Sequence, residues 1–269
     1  MEILNHLPED QWLALDGLLA FLAVYEDEGR LAAFRQALSK VPLRGGVVVE
    51  AGAGLGRLSR MLLEEIQPQK LYLVEENPRA VHLLSSVFQD DPRVQVVQGL
   101  IETFLPPEPV DLLVQEFFGP LLYDESLEAL HRLPFRPRQV FPNRGRLTVQ
   151  VLSLEAFQDP VITPEVWALM EDALVSDLLD AGAVPYAPDA TVLHWSWEDG
   201  LVHHSVDLHG LEGDVLRFAV EVWHDDQNLC DPVRCPNWPF VYTPRKGDRF
   251  RFAFTYHEGA SETFFRWLD

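Results

Sequence analysis

Val47-Val48-Val49-Glu50-Ala51-Gly52-Ala53-Gly54-Leu55-Gly56-Arg57 is the stretch on which the fold of this 269-residue chain turns. Three valines and an acid read as a buried strand. The glycines after it read as a tight turn opening a helix, because glycine adopts positive φ and lets backbone approach a ligand. Leu71 to Glu75, Val94 to Val97 and Asp111 to Gln115 read as further strands, with helices fitting at Arg57 to Ile66 and Pro78 to Phe88. Strand and helix in alternation predict βαβ units and a parallel sheet with helices on its faces, an α/β, Rossmann-like domain.

Beyond Phe141 the texture changes. Arg146 to Leu152, Thr191 to Trp197, His203 to Leu208, Val215 to Trp223 and Arg249 to Tyr256 carry the alternation of strands. They predict a mostly antiparallel β-barrel or sandwich, interrupted by a helical insertion at Pro164 to Ala181. Upstream, residues 9 to 40 read as one or two helices. Leu15, Leu18, Leu19 and Leu22 stand at helical spacing, and Ala20, Phe21, Ala23 and Val24 make that helix apolar nearly all round. Such a helix is buried against its own domain or another subunit.

Asp and Glu total 42 against 21 Lys and Arg, a formal net charge of -21, and acids exceed bases on both sides of Val140. A surface this acidic repels phosphate backbones and anionic lipid heads, so nucleic acid and membrane are excluded as expected partners and a cationic one is favoured. Two cysteines, Cys230 and Cys235, make neither a disulfide framework nor a zinc site, and a reducing cytoplasm is expected. The apolar run Trp12 to Tyr25 is broken by Asp16 and follows Glu2, Glu9 and Asp10. It falls short of the ~20 residues that span a bilayer, and neither an anchor nor a signal peptide is expected. His203 and His204 alternate across a strand, which is poor geometry for one ion, and no metal site is expected.

The glycine loop discriminates among nucleotide cofactors. A dinucleotide fingerprint needs G-x-G-x-x-G, whereas Gly52, Gly54 and Gly56 give G-x-G-x-G with Arg57 at the third glycine's place. NAD and FAD are disfavoured. Glu50 would oppose an anionic diphosphate but suits the ammonium end of S-adenosylmethionine, and Glu75, ending the second strand, can accept both ribose hydroxyls.

The fourth strand delivers Glu116-Phe117-Phe118-Gly119-Pro120-Leu121-Leu122-Tyr123-Asp124-Glu125-Ser126. Ligands sit beyond the carboxyl ends of such strands, so Glu116 is expected beside the cofactor pocket, with Glu125 nine positions on. This segment resembles the double-E loop of the protein arginine methyltransferases, S-E-W-M-G-Y-x-L-x-Y-E-S-M. Val49 to Gly54 is similar to that family's V-L-D-V-G-x-G, Gly99-Leu100-Ile101-Glu102 to its adenine segment, Phe141-Pro142-Asn143-Arg144 to its F-P-D-R, and Asp27-Glu28-Gly29-Arg30 to its D-E-V-R. Its aromatic Y-F-x-x-Y is absent, and its T-H-W loop stands as Pro236-Asn237-Trp238.

The resemblance implies Glu116 and Glu125 as catalytic. It implies Arg30 for the methionyl carboxylate, Glu75 for ribose, Ile101 and Glu102 for adenine, and Asn237 and Trp238 for substrate. It also implies helices over residues 1–45 covering the cofactor, a methyltransferase domain over 46–140, and a β-barrel substrate domain over 141–269 with an insertion at about 156–190. The expected reaction is methyl transfer from S-adenosylmethionine to the guanidino group of a protein or peptide arginine, by a homodimer joined through Leu13 to Val24 and Trp167, Leu169 and Leu174. Two alternatives stay open: a methyltransferase for a small guanidino or amino metabolite, and a catalytically silent cofactor-binding scaffold.

Overall fold

The apolar runs of the first half pair side by side, as buried strands of βαβ units must. In the computed structural model, which describes residues 8, 15, 21–22, 26–180, 182–235, 237–257 and 260–268, they form a five-stranded parallel sheet. Its strands are β1 (Val47–Ala51), β2 (Lys70–Glu75), β3 (Val94–Gln98), β4 (Leu112–Gln115) and β5 (Gln139–Phe141), in the order β3-β2-β1-β4-β5. The order reverses between β1 and β4. Ligands in open α/β sheets bind at the carboxyl ends of such strands.

Local chemistry starts each helix of this unit. Helix α1 (Glu28–Leu38) is capped by Asp27, whose side chain accepts from Arg30 N–H. Helix α2 (Arg57–Glu65) starts at Gly56, with φ of 84°. Helix α3 (Pro78–Val87) has Asn77 accepting from Arg79 and Ala80 N–H, with Pro78 at its first position, where a missing N–H costs nothing. The apolar stretch Leu13 to Val24 lies largely outside the described residues.

Residues 1–116 and 132–142 make one compact unit, and 117–131 with 143–269 make a second. In the second, long β6 (Arg144–Leu152) and β10 (Val215–His224) pair antiparallel from Arg144 opposite Trp223 to Leu152 opposite Val215. Around them stand β7 (Val175–Ser176), β8 (Ala190–Ser196), β9 (Gly200–His203), β11 (Gln227–Cys230) and β12 (Val241–Pro244). The order is β7-β12-β10-β6-β8-β9, with β11 beside β10. The hairpin of β13 (Phe250–His257) and β14 (Ala260–Trp267) is a separate sheet. Phe218 of β10 packs edge-on against Phe250, Phe252 and Phe265, with centroids 5.5, 5.2 and 6.1 Å away. This is sandwich packing through an aromatic layer; among the described residues no ladder closes it into a barrel.

Three expectations need correction. The strand placed at His203 to Leu208 is β9, which ends at His203, because the turn at Glu198 and Asp199 sets Leu193 opposite His203 and Ser196 opposite Gly200. The insertion is helical only over α4 (Pro164–Ala168), since Asp172 and Asp177 take left-handed backbone that no α-helix accommodates. Cys230 and Cys235, read as a sign of a reducing compartment, are joined in a buried disulfide across the turn after β11.

The insertion packs onto its own sheet. Trp167 is buried with Leu154, Phe157, Leu179, Phe240 and Tyr242, and its indole N–H donates to Asp214 O at 3.1 Å. Arg217, buried in β10, lies over the Phe240 ring and donates to Val184 O, Pro185 O and Gln150 Oε1. Of the three apolar residues expected at a subunit interface, Trp167 is thus committed internally, Leu174 is half-buried and Leu169 is exposed. Trp167→Ala is expected to lower the stability of the second unit by about 3–5 kcal/mol. Urea unfolding checks this, and a loss below ~1 kcal/mol would detach the insertion from the core.

Candidate functional site

The glycine loop is held by a carboxylate. Gly52 and Ala53 N–H donate to Val74 O at 2.9 and 3.1 Å, and Gly54 N–H donates to Glu75 Oε2 at 2.8 Å. The other oxygen, Glu75 Oε1, accepts from Asn77 N–H at 2.8 Å. At Gly54 the backbone has φ of 53°, and a side-chain carbon there would meet the Phe21 ring at 3.3 Å. The loop is therefore a cradle that a β-carbon would fill, with an aromatic ring standing over it.

Glu50, at the end of β1, is 1% exposed, and Oε2 accepts from Ser59 Oγ at 2.6 Å. The hydroxyl and backbone N–H of Ser59 do not by themselves compensate a buried negative charge. Burial pushes this carboxyl up to about 8, the Ser59 bond opposing and the nearby Glu75 charge adding to the rise. Past β3, Ile101 and Glu102 lie in a 3-10 turn, Ile101 buried and Glu102 half-buried. Gly99 N–H donates to Glu75 O at 3.0 Å, which ties that turn to the end of β2. Burial raises the Glu76 carboxyl, and the charges of Glu75 and Glu102 add to it.

Glu116 follows β4 and faces Arg30, with Oε1 3.5 Å from Nη1. Arg30 Nε lies 3.6 Å from Asp27 Oδ2, and Asp27 Oδ1 accepts from Arg30 N–H at 2.9 Å. All three are largely buried. Desolvation raises the Glu116 carboxyl, Arg30 works against that and Asp27 reinforces it. One unit thus brings together Arg30 with Glu116, and Glu50 with Gly52, Gly54, Gly56 and Glu75.

The second unit carries Glu125, Asn237 and Trp238. Glu125 is exposed, and its carbonyl accepts from Ser261 Oγ of β14 at 2.5 Å. Asn237 is exposed; Trp238 is buried and donates its backbone N–H to Cys235 O at 2.8 Å. Sequence reasoning missed Ser59, although its place three residues after Gly56 puts it on the first turn of α2. It also missed Phe21 and Asn77 as parts of the loop. Among the described residues, no group of three His, Cys, Asp or Glu side chains could hold a metal, and no helix is long and apolar enough to cross a membrane.

Glu50 gives a pH test. Its folded pKa lies above the unfolded value of 4.5, so the fold binds the proton more tightly, and stability falls as pH rises from about 4.5 through about 8. Glu50→Gln is expected to leave stability unchanged near pH 4 and to raise it by roughly 2–4 kcal/mol at pH 9. Denaturant titrations of both proteins across that range check the sign; a pH-independent difference rejects the neutral carboxyl.

No protein-family model matches the sequence. Among curated proteins, it is 28% identical over 134 residues to mouse protein arginine N-methyltransferase 2, covering 46% of this chain and 30% of that one. It is 34% identical over 116 residues to the Aedes aegypti histone-arginine methyltransferase CARMER, covering 41% and 19%. The alignments thus span less than a third of the relatives' length. Solved structures match over more of the chain. The Arabidopsis thaliana protein arginine methyltransferase 10 superposes with TM-score 0.64 at 13% identity, covering 91% of this chain and 95% of that one. The Trypanosoma brucei PRMT1 enzyme-prozyme heterotetrameric complex with AdoHcy gives 0.60 at 14%, covering 88% and 87%. In partial sequence and in fold, the chain resembles the protein arginine methyltransferases.

Proposed function

We propose that this chain is an S-adenosylmethionine-dependent N-methyltransferase acting on a guanidino nitrogen of arginine in a cationic protein or peptide. The observation that carries the reading is Glu116, a mostly buried carboxylate at the end of β4 that faces the Arg30 guanidinium beside the glycine loop. The cofactor, when bound, supplies an electrophilic methyl group on a sulfonium. Gly52, Gly54 and Gly56 give it a backbone cradle, Glu50 receives its ammonium and Arg30 its carboxylate. Each Glu75 oxygen accepts one backbone N–H and keeps a second lone pair for a ribose hydroxyl. Ile101 and Glu102 hold the adenine. In this reading residues 1–45 cover the cofactor, which the seat of Phe21 against Gly54 supports; 46–140 bind it, and 141–269 receive the acceptor.

Glu116 and Glu125 accept N–H groups of the acceptor guanidinium. A guanidinium is planar, stays charged and carries its donors in a fork, so two carboxylates fix its orientation and draw positive charge away from the attacking nitrogen. Arg30 has a second task here. A ligand carboxylate arriving at Arg30 competes with Glu116 for its donors, leaving Glu116 freer for the acceptor and favouring cofactor binding first. Asn237 and Trp238 belong to the substrate side. The net charge of -21 favours cationic acceptors and disfavours nucleic acid and anionic membranes. A homodimer completes the proposal. With Trp167 buried in its own unit, its contact rests on Leu13 to Val24 and on Leu169.

S-Adenosylhomocysteine is expected to bind in the micromolar range, ~8 kcal/mol, and NAD not to bind. Glu116→Gln and Glu125→Gln should each slow transfer by roughly 10²–10³-fold at saturating cofactor, with cofactor affinity changed no more than a few-fold. The double variant should lose less than the product of the singles, because both acids hold one group. Transfer of labelled methyl to an arginine peptide checks this; a near-wild-type rate in Glu125→Gln refutes the clamp. Preference for a free guanidino metabolite would select the first alternative, and cofactor binding without any transfer the scaffold.

A further inference from the structure

The turn that carries Glu125 is built around a different acid. Asp124 Oδ1 accepts from Leu121 N–H at 2.9 Å. A β-carbon at Gly119 would lie 2.2 Å from Asp124 Oδ1 and 2.9 Å from Glu125 Cγ, so only glycine lets both acids fold against that point of the chain. Leu122 N–H donates to Gly119 O and Tyr123 N–H to Leu121 O, both at 2.9 Å, and Leu122 takes left-handed backbone at φ 71°. A leucine in that region is strained and persists only where its surroundings over-determine it. The outer side is pinned by Ser261 Oγ on the Glu125 carbonyl, by the Tyr123 ring edge-on to Phe254, and by Tyr123 Oη donating to Glu128. Asp124 stands where the family's loop has a tyrosine, so the brace belongs to this chain's own residues.

We propose that Asp124 is a positioning residue for Glu125, its ionised carboxylate closing the turn on Leu121 and Gly119 and thereby fixing where the second acceptor carboxylate emerges. The inference rests on the reading of Glu125 as an acceptor group. Among the described residues no cation pairs with Asp124: burial raises its carboxyl to about 6, the N–H groups of Leu121 and Asp124 itself working against that. Its titratable neighbours along the chain, Tyr123, Glu125 and Glu128, are acids, none of them positive at any pH. A carboxylate held at this cost in a tight turn is replaceable in packing by an amide. The carbonyl oxygen of a neutral carboxylic acid is a weaker acceptor than an amide oxygen, so protonation should loosen the Leu121 bond more than amide replacement does and let Glu125 stray, and a misplacement of about 1 Å can cost about 10²-fold in rate.

The experiment uses the full chain with leucine labelled by nitrogen-15. The Leu121 amide resonance should titrate with a midpoint near the Asp124 value in wild type and not at all in Asp124→Asn. Asp124→Ala should lower kcat for an arginine peptide by roughly 10- to 100-fold, with KM for the cofactor unchanged within about twofold. Asp124→Asn, which keeps an acceptor oxygen, should stay within about threefold of wild type at pH 8 and show a smaller fall in rate between pH 7 and 5 than wild type. A Leu121 resonance flat across that range, or wild-type kcat in Asp124→Ala, would overturn the proposal. Titration of Leu121 in a protein that transfers no methyl would uphold the brace and reject the arginine reading.

Discussion

The carboxylate of Glu75 takes one backbone N–H from the loop after β1 and another from the turn after β2, and much of the structure at the carboxyl end of the first unit's strands depends on that bridge. Hydrogen bonds to a charged acceptor are roughly twice as strong as neutral ones, and here both donors are backbone groups that would otherwise be left unpaired at a sheet edge. With Gly54 pinned, the loop's positive φ angles follow. Gly56 is then placed to open α2, whose first turn brings Ser59 within hydrogen-bond reach of Glu50. The same carboxylate, through Asn77, fixes where α3 starts. One buried acid thus sets the positions of two helices, the loop between strand and helix, and the environment of a second buried acid.

Buried acids in this chain fall into two kinds. Glu221, in β10, accepts from Arg146 at 2.6 Å, Tyr186 at 2.6 Å and Trp223 at 3.2 Å. It is a fully partnered network, the condition under which a buried charge stabilises a sheet. Glu50 has the hydroxyl and backbone N–H of Ser59, and half-buried Asp124 has backbone N–H groups; among the described residues neither has a cation. Their pKa values are pushed up because burial outweighs the hydrogen bonds that oppose it. Groups kept in that state cost stability wherever they are ionised, and such costs concentrate where a site needs a group poised rather than satisfied. Glu116 lies between the two kinds, since Arg30 faces it but does not bring its carboxyl down to the ordinary range.

The parallel sheet was legible because buried strands in βαβ units are plain apolar runs, and β1, β2 and β4 each run straight into the polar residues that the site uses. The second unit was harder. Its long strands β6 and β10 show in the sequence, but β7, β11 and β12 have two to four residues each and exist only because longer neighbours pair with them. Strand β14, with Glu262, Thr263 and Arg266 among its aromatics, has no clean alternation until it is paired with β13. The stretch Pro164 to Ala181 reads as helical, yet Asp172 and Asp177 adopt left-handed backbone that only the tertiary setting reveals.

The loop from Glu116 to Glu125 shows where local reading stops. Its two glutamates and its glycine stand in the sequence at a spacing that speaks for itself, so the candidate residues were found without a structure. What aims Glu125 is of longer range: the carbonyl of Glu125 is held by Ser261, 136 residues away in sequence. Asp124 reads locally as one more acid in an acidic chain, because its side chain turns back onto Leu121 only once Gly119 has left it room. Identity at such a site is written in short motifs, whereas orientation is written in packing between distant strands. A motif retained without its supports would keep Glu125 and lose the turn that carries it.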